Sequence, residues 1–230
     1  MRSLNLYVSK RRKYKVLGGV SVERAISEEL EQQVEIKKES LLYLFFKRAV
    51  DIIVSLCALI VLTPILIIIS VLIKIESRGP VIFKQNRVGV NSKEFTIYKF
   101  RSMRIGAPEV ASNSLKNYKN YVTAIGKFIR KTSLDELPQL FNVMKGDMSL
   151  VGPRPVINSE TELLELRKKF GIDKALPGIT GWAQINGRDN MTVERKIYLE
   201  NEYNQSRNFF LDIKILFMTF IKVISRDGAI

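Results

Sequence analysis

The clearest hydrophobic feature of the chain is an unbroken apolar run. Residues 52–73 carry no charged side chain, and as a helix those 22 positions would reach about 33 Å, enough to cross a hydrocarbon core. Two features argue against a straight span. Thr63-Pro64 falls near the middle, where proline removes a backbone hydrogen bond and bends a helix. Cations also flank both ends, Lys47 and Arg48 before and Lys74 and Arg78 after, and the first 48 residues hold eleven Lys/Arg. Placing that end outside a cell would oppose the positive-inside tendency. The pattern therefore predicts a re-entrant helix over 46–76 that enters a membrane, breaks at Thr63-Pro64 and returns to the same face. The Thr63 hydroxyl is expected to satisfy a carbonyl freed by the proline.

Beyond this run the apolar period changes. Residues 81–88 and 95–100 are β-prone and separated by the turn-rich segment 89–93, which predicts a hairpin. Helical spacing predicts a short helix over 121–130 and longer ones over 158–170 and 192–204. Residues 209–224 are strongly apolar with isolated charges, too interrupted to span; they suit the bilayer interface or a buried core helix. Residues 106–120, 146–155 and 177–188 read as loops, the last two punctuated by glycine and proline. Residues 1–45 form a polar arm, with a basic cluster at 10–15, a glutamate-rich stretch at 27–38, and no apolar segment of the signal-peptide kind. The resulting expectation is an α+β chain, mostly helical: an arm over 1–45, a monotopic membrane helix over 46–76 and a functional domain over 77–230. That domain would combine a small β-hairpin with amphipathic interfacial helices.

Composition narrows the chemistry. The 230 residues include no histidine, which removes Ser-His-Asp catalysis and the usual zinc sites. Cys57 is the single cysteine, so neither an internal disulfide nor a thiolate metal centre can form. The formal charge of +14 points to an anionic partner, and the apolar run favours an anionic bilayer face and phosphorylated substrates over nucleic acid.

Against that background, Arg130-Lys-Thr-Ser-Leu-Asp-Glu-Leu-Pro-Gln-Leu-Phe-Asn-Val-Met-Lys145 stands out. Adjacent carboxylates, Asp135 and Glu136, sit at the mouth of a short helix whose apolar face would be Leu134, Leu137, Leu140, Phe141 and Met144. The helix start has two readings: a capping box from Ser133 to Glu136, or Pro138 in a first helical position. Caps alone would explain both carboxylates. Their surroundings suggest more, because Lys127, Arg130, Lys131, Lys145 and Arg154 gather around them in sequence. Carboxylates ringed by cations suit a site that holds phosphates and a divalent metal together. Arg154 lies between Pro153 and Pro155, which pre-set the direction of its guanidinium.

With these residues in view, the chain from about Phe46 to Ile224 resembles the monotopic bacterial sugar transferases, the polyprenyl-phosphate phosphoglycosyl transferases, in short catalytic-core form. The resemblance rests on several segments in unbroken order: Lys47-Arg48-x-x-Asp51, the Pro-broken apolar run, Ser77-Arg-Gly-Pro-Val-Ile-Phe-Lys-Gln85 and Tyr98-Lys-Phe-Arg-Ser-Met103. Ser133-Leu-Asp-Glu-Leu-Pro-Gln139, Lys145-Gly-Asp-Met-Ser-Leu-Val-Gly-Pro-Arg-Pro155 and Pro177-Gly-Ile-Thr-Gly-Trp182 complete it. The family resemblance implies transfer of a sugar-1-phosphate from a UDP-sugar to undecaprenyl phosphate, with release of UMP, as the initiating step of surface-glycan assembly. It implies Asp135 as nucleophile, Glu136 as ligand of Mg²⁺, and Lys99, Arg101, Arg130 and Arg154 as phosphate-binding cations. It also implies the cytoplasmic face of a bacterial inner membrane, no nucleic-acid partner, and leaves a homodimer open. Two other readings remain at this stage: a membrane-surface binding module in which Asp135 and Glu136 are only a cap, and a glycosyl transferase proper, which would release UDP.

Overall fold

The apolar run folds as helix α1, Leu41–Glu76, five residues longer at its start than the 46–76 expected. The structure is a computed structural model and describes residues 40–107, 121–187 and 191–225; the expected arm over 1–45 falls almost wholly outside these, as does most of the 106–120 loop. By length and composition α1 is able to cross a membrane. The helix continues through Pro64 rather than ending there. The Thr63 hydroxyl donates to the Leu59 carbonyl at 2.7 Å. That corrects the expectation for Thr63, because the carbonyl that loses its donor to a proline at 64 belongs to Ile60.

Polar groups fasten the start of α1 to the rest of the chain. Tyr43 Oη and Lys47 Nζ both donate to Asp212 Oδ2 at 2.9 Å. Arg48 reaches the carbonyls of Val143 and Met144 at 2.6 and 3.0 Å, and buried Asp51 accepts from the Leu150 amide at 3.0 Å. Apolar packing continues on both sides of Pro64: Ala58 and Leu59 before it, and Leu66, Ile69 and Ile73 after it, join the cores of the same globular body. The opposite face, including Ile53, Ile60, Val61, Ile67 and Ile68, is exposed.

Strands β1 (Ile82–Val88) and β2 (Glu94–Phe100) form the expected antiparallel hairpin, with Phe83 opposite Lys99. Helix α2 (Ala124–Lys131) is capped by Thr123, whose hydroxyl accepts from the Gly126 amide at 2.9 Å. A 3₁₀ turn, Leu134–Glu136, leads through Pro138 into α3, Gln139–Lys145. Gly146 ends α3 with φ +93°, the left-handed conformation that glycine adopts without strain.

Two segments read as loops hold regular structure. Strand β3 (Ser149–Val151) pairs in parallel with β4 (Gly178–Thr180), and α5 (Trp182–Asn186) follows. Such short elements leave almost no periodicity to read. Their approach depends on glycine: a Cβ on Gly178 would stand 2.1 Å from the Gly152 nitrogen. Helices α4 (Thr161–Lys169), α6 (Val193–Ser206) and α7 (Phe209–Ser225) lie close to the predicted spans. In α7 one face is buried in the core and the other is exposed. Ile215 and Asp212 are buried, while Phe210, Phe217 and Phe220 are exposed.

Candidate active site

The Asp135–Glu136 pair is presented by a backbone the sequence pattern did not foresee. Ser133 takes φ +56°, a left-handed conformation costly for a residue other than glycine, and makes no side-chain cap. The capping-box reading is therefore wrong. Ser133 instead turns the chain so that residues 134–136 form a tight turn before the helix. Pro138 stands at the cap position of α3, one place before the first helical position expected of it.

The inward face of α3 is also displaced from the predicted one. Phe141 is exposed, whereas Gln139 and Asn142 are buried alongside Leu140 and Val143. Asn142 explains the difference. Its Oδ1 accepts from the Tyr98 amide at 3.0 Å and its Nδ2 donates to the Thr96 carbonyl at 2.7 Å, so α3 is laced to the open edge of β2. This lacing sets the carboxylate turn beside the end of β2, where Lys99 projects. A single polar residue in an otherwise apolar stretch was the only trace of it in the sequence.

Three of the singled-out side chains meet directly. Lys99 Nζ lies 2.7 Å from Glu136 Oε1, and Arg154 Nη2 reaches the same oxygen at 3.0 Å. Burial pushes the Glu136 carboxyl upward, but Lys99 and Arg154 outweigh it and hold the group down at about 2. Glu136 is thus ionised at any ordinary pH. Asp135 behaves oppositely: burial and the neighbouring Glu136 charge raise it to about 6, against the pull of Lys99, Arg130 and Arg154. Two adjacent carboxylates with separated titrations suit different tasks.

Arg101 is employed elsewhere. Its buried guanidinium donates to the carbonyls of Arg78 and Ser77, both at 2.7 Å, and to the Ser77 hydroxyl at 2.9 Å, fastening the end of α1 to the hairpin. These backbone and hydroxyl acceptors engage the guanidinium that the family resemblance assigns to phosphate. Arg87, on β1, is a residue that the sequence candidates omit. It is half-buried, feels the charges of Arg154 and Glu136, and donates to Gln85 Oε1 at 2.7 Å while its buried Nε has no partner. Its alternation along β1 gave no sign of this.

Among the described residues no group of three acidic, His or Cys side chains gathers to hold a metal. Two adjacent carboxylates do fit Mg²⁺, which is commonly bound by one or two carboxylates and completed by water and substrate phosphates. With the cations around them, such a site can bind a diphosphate and offer one carboxylate as a nucleophile.

The model of a family described as bacterial sugar transferase matches residues 42–226. Among curated proteins, the chain is 39% identical over 193 residues to the UDP-N-acetylgalactosamine-undecaprenyl-phosphate N-acetylgalactosaminephosphotransferase of Aeromonas hydrophila, covering 82% of this chain and 46% of that protein. It is 42% identical over 203 residues to the undecaprenyl-phosphate galactose phosphotransferase of Salmonella typhimurium, covering 80% of this chain and 42% of that protein. The chain thus spans less than half the length of these two relatives. A third, the uncharacterized sugar transferase EpsL of Bacillus subtilis, is 40% identical over 185 residues, covering 80% of this chain and 90% of that protein.

Proposed function

The chain belongs to the bacterial sugar transferase family, and from that premise we propose that it moves a sugar-1-phosphate from a UDP-sugar to undecaprenyl phosphate and releases UMP. The observation that carries this reading is the meeting of Lys99 and Arg154 on Glu136 beside a half-buried Asp135. Two relatives are named for transfer of different sugars to the same lipid phosphate, at nearly equal identity, so the proposal is the UDP-sugar class.

An Asp135 carboxylate oxygen attacks the phosphorus next to the sugar. The bond from that phosphorus to the UMP oxygen breaks, UMP leaves with the electron pair, and a phosphosugar-aspartyl intermediate, an acyl phosphate, remains. An oxygen of undecaprenyl phosphate then attacks the same phosphorus. The aspartyl bond breaks, giving the sugar diphospholipid and free Asp135. The bond from the sugar C1 to oxygen is untouched, so the anomeric configuration is kept. Lys99, Arg130 and Arg154 orient and neutralise the phosphates, and Arg154 is able to do so in bidentate fashion. Glu136 would hold Mg²⁺, which when bound supplies charge neutralisation on phosphoryl oxygens.

The lipid acceptor requires a site at the bilayer surface. The packing of α1 supports a re-entrant, monotopic placement at the cytoplasmic face of an inner membrane. Its two halves, on either side of Pro64, pack on the same polar body, which a straight span would carry to opposite faces. The exposed apolar sides of α1 and α7 would then face lipid. Incubation of the purified protein with a panel of UDP-sugars, Mg²⁺ and undecaprenyl phosphate tests the reading. Release of UMP that depends on the lipid is expected. Release of UDP would mean a glycosyl transferase, and no turnover of any donor would favour a membrane-surface binding module.

A further inference from the structure

Resting on that reaction, we propose that the buried ion pair of Arg167 (α4) and Glu200 (α6) is a positioning device that aims Arg154 at Glu136. The pair is almost fully enclosed, with the side chains 7% and 1% exposed. Arg167 grips the carboxylate with both arms of its fork, Nε to Oε2 at 2.8 Å and Nη2 to Oε1 at 2.6 Å. The same Nη2 donates to the main-chain carbonyl of Arg154 at 2.9 Å. From that residue the Arg154 guanidinium extends to Glu136 Oε1 at 3.0 Å. A chain of contacts thus runs from α6 through α4 to the carboxylate turn.

The loop around Arg154 is already held on either side. The Gly152 amide donates to Thr180, the Pro153 carbonyl accepts from Gly178, and the Val156 carbonyl accepts from Val88, each at 2.9 Å. Of the two residues between these anchors, the Pro155 carbonyl accepts from Arg87 at 3.4 Å, and Arg167 supplies the donor at Arg154, the one whose side chain enters the site. Stability alone is a weak reason for such a pair. Desolvating two charges costs about as much as their attraction returns, and apolar side chains of equal volume often serve as well or better. Apolar side chains cannot, however, donate a hydrogen bond to the Arg154 carbonyl. Arg167 and Glu200 touch no reacting atom in this scheme; they act through Arg154.

The test replaces the pair together, Arg167→Met with Glu200→Leu, so that no unpaired charge is left buried. Thermal unfolding and UMP release are measured alongside Arg154→Ala and the triple variant. The paired replacement should melt within a few degrees of wild type yet lose at least tenfold in kcat/KM. Added to Arg154→Ala it should cost less than a further twofold, because its effect passes through the missing side chain. Paired-variant activity within twofold of wild type, or losses that multiply in the triple variant, would overturn the proposal. Arg167→Lys, which keeps the charge on Glu200 but not the fork, carries the same expectation if the paired variant does not fold. A readout independent of turnover separates this idea from the reaction itself. Phenylglyoxal modification of Arg154, mapped by peptide mass spectrometry, should quicken severalfold in either variant as the guanidinium leaves Glu136. Equal rates would refute the positioning role even if the wild type released no UMP.

Discussion

Asn142→Leu should destabilise the protein sharply, whereas Gln139→Leu, one turn away on the same helix, should not. Both side chains are buried, Asn142 fully and Gln139 to 2% exposure, and both lie on the inward face of α3. They differ in satisfaction. Asn142 answers the Tyr98 amide and the Thr96 carbonyl at 3.0 and 2.7 Å, and contacts Asp147 Oδ2 at 3.3 Å. Leucine would leave two part-buried backbone groups without partners, each costing about 1–3 kcal/mol, partly offset by the added apolar surface. The net expectation is roughly 2–4 kcal/mol, or a fall in Tm of about 5–15 °C for a chain of this size. Gln139 buries an Nε2 that has no partner, so its replacement removes an unmet donor and should change stability by less than about 1 kcal/mol. Thermal unfolding in one detergent, followed by circular dichroism, compares them directly. Because Asn142 also sets the carboxylate turn against Lys99, its variant should lose activity even below its Tm. Similar Tm shifts for the two variants would refute the reasoning, since burial rather than hydrogen bonding would then decide the cost.

Asp135→Asn should abolish turnover while leaving fold and membrane partition intact, and wild-type kcat in that variant would exclude the covalent route. With burial and Glu136 holding Asp135 at about 6, the reactive carboxylate form grows as pH rises through that value. In the free enzyme kcat/KM should therefore climb about tenfold from pH 5 to pH 7; a flat profile would count against Asp135 as nucleophile. Arg154→Lys keeps the charge but loses the planar fork, and should cost at least tenfold in kcat/KM, about 1.4 kcal/mol; a variant within twofold of wild type would leave Arg154 a surface cation. For topology, single cysteines at Ser3 and Ser112 in a Cys57→Ser background should be protected from an impermeant thiol reagent in intact cells. Pro64→Leu, which restores the missing hydrogen bond, should expose the one at Ser3, and labelling there with Pro64 intact would mean that α1 spans.

How these residues come together divides cleanly between chain and fold. The uncharged run, the hairpin and most helices were legible because their signals are local: periods of 2 and 3.6, and turn residues between them. The carboxylate pair was legible too, since Asp135 and Glu136 are neighbours and the cations near them in sequence are many. The employment of each cation was not. Lys99 and Arg154 reach Glu136 across 37 and 18 residues, Arg101 is taken by carbonyls 23 and 24 residues back, and Arg167 finds Glu200 across 33. Nor did spacing reveal that α3 turns Asn142 inward and Phe141 outward, because the open edge of β2 supplies the amide and carbonyl that make a buried asparagine favourable. A side chain's charge and length are written in the sequence. The partner it meets depends on which acceptor the folded backbone brings within about 3 Å, and only the tertiary structure decides that.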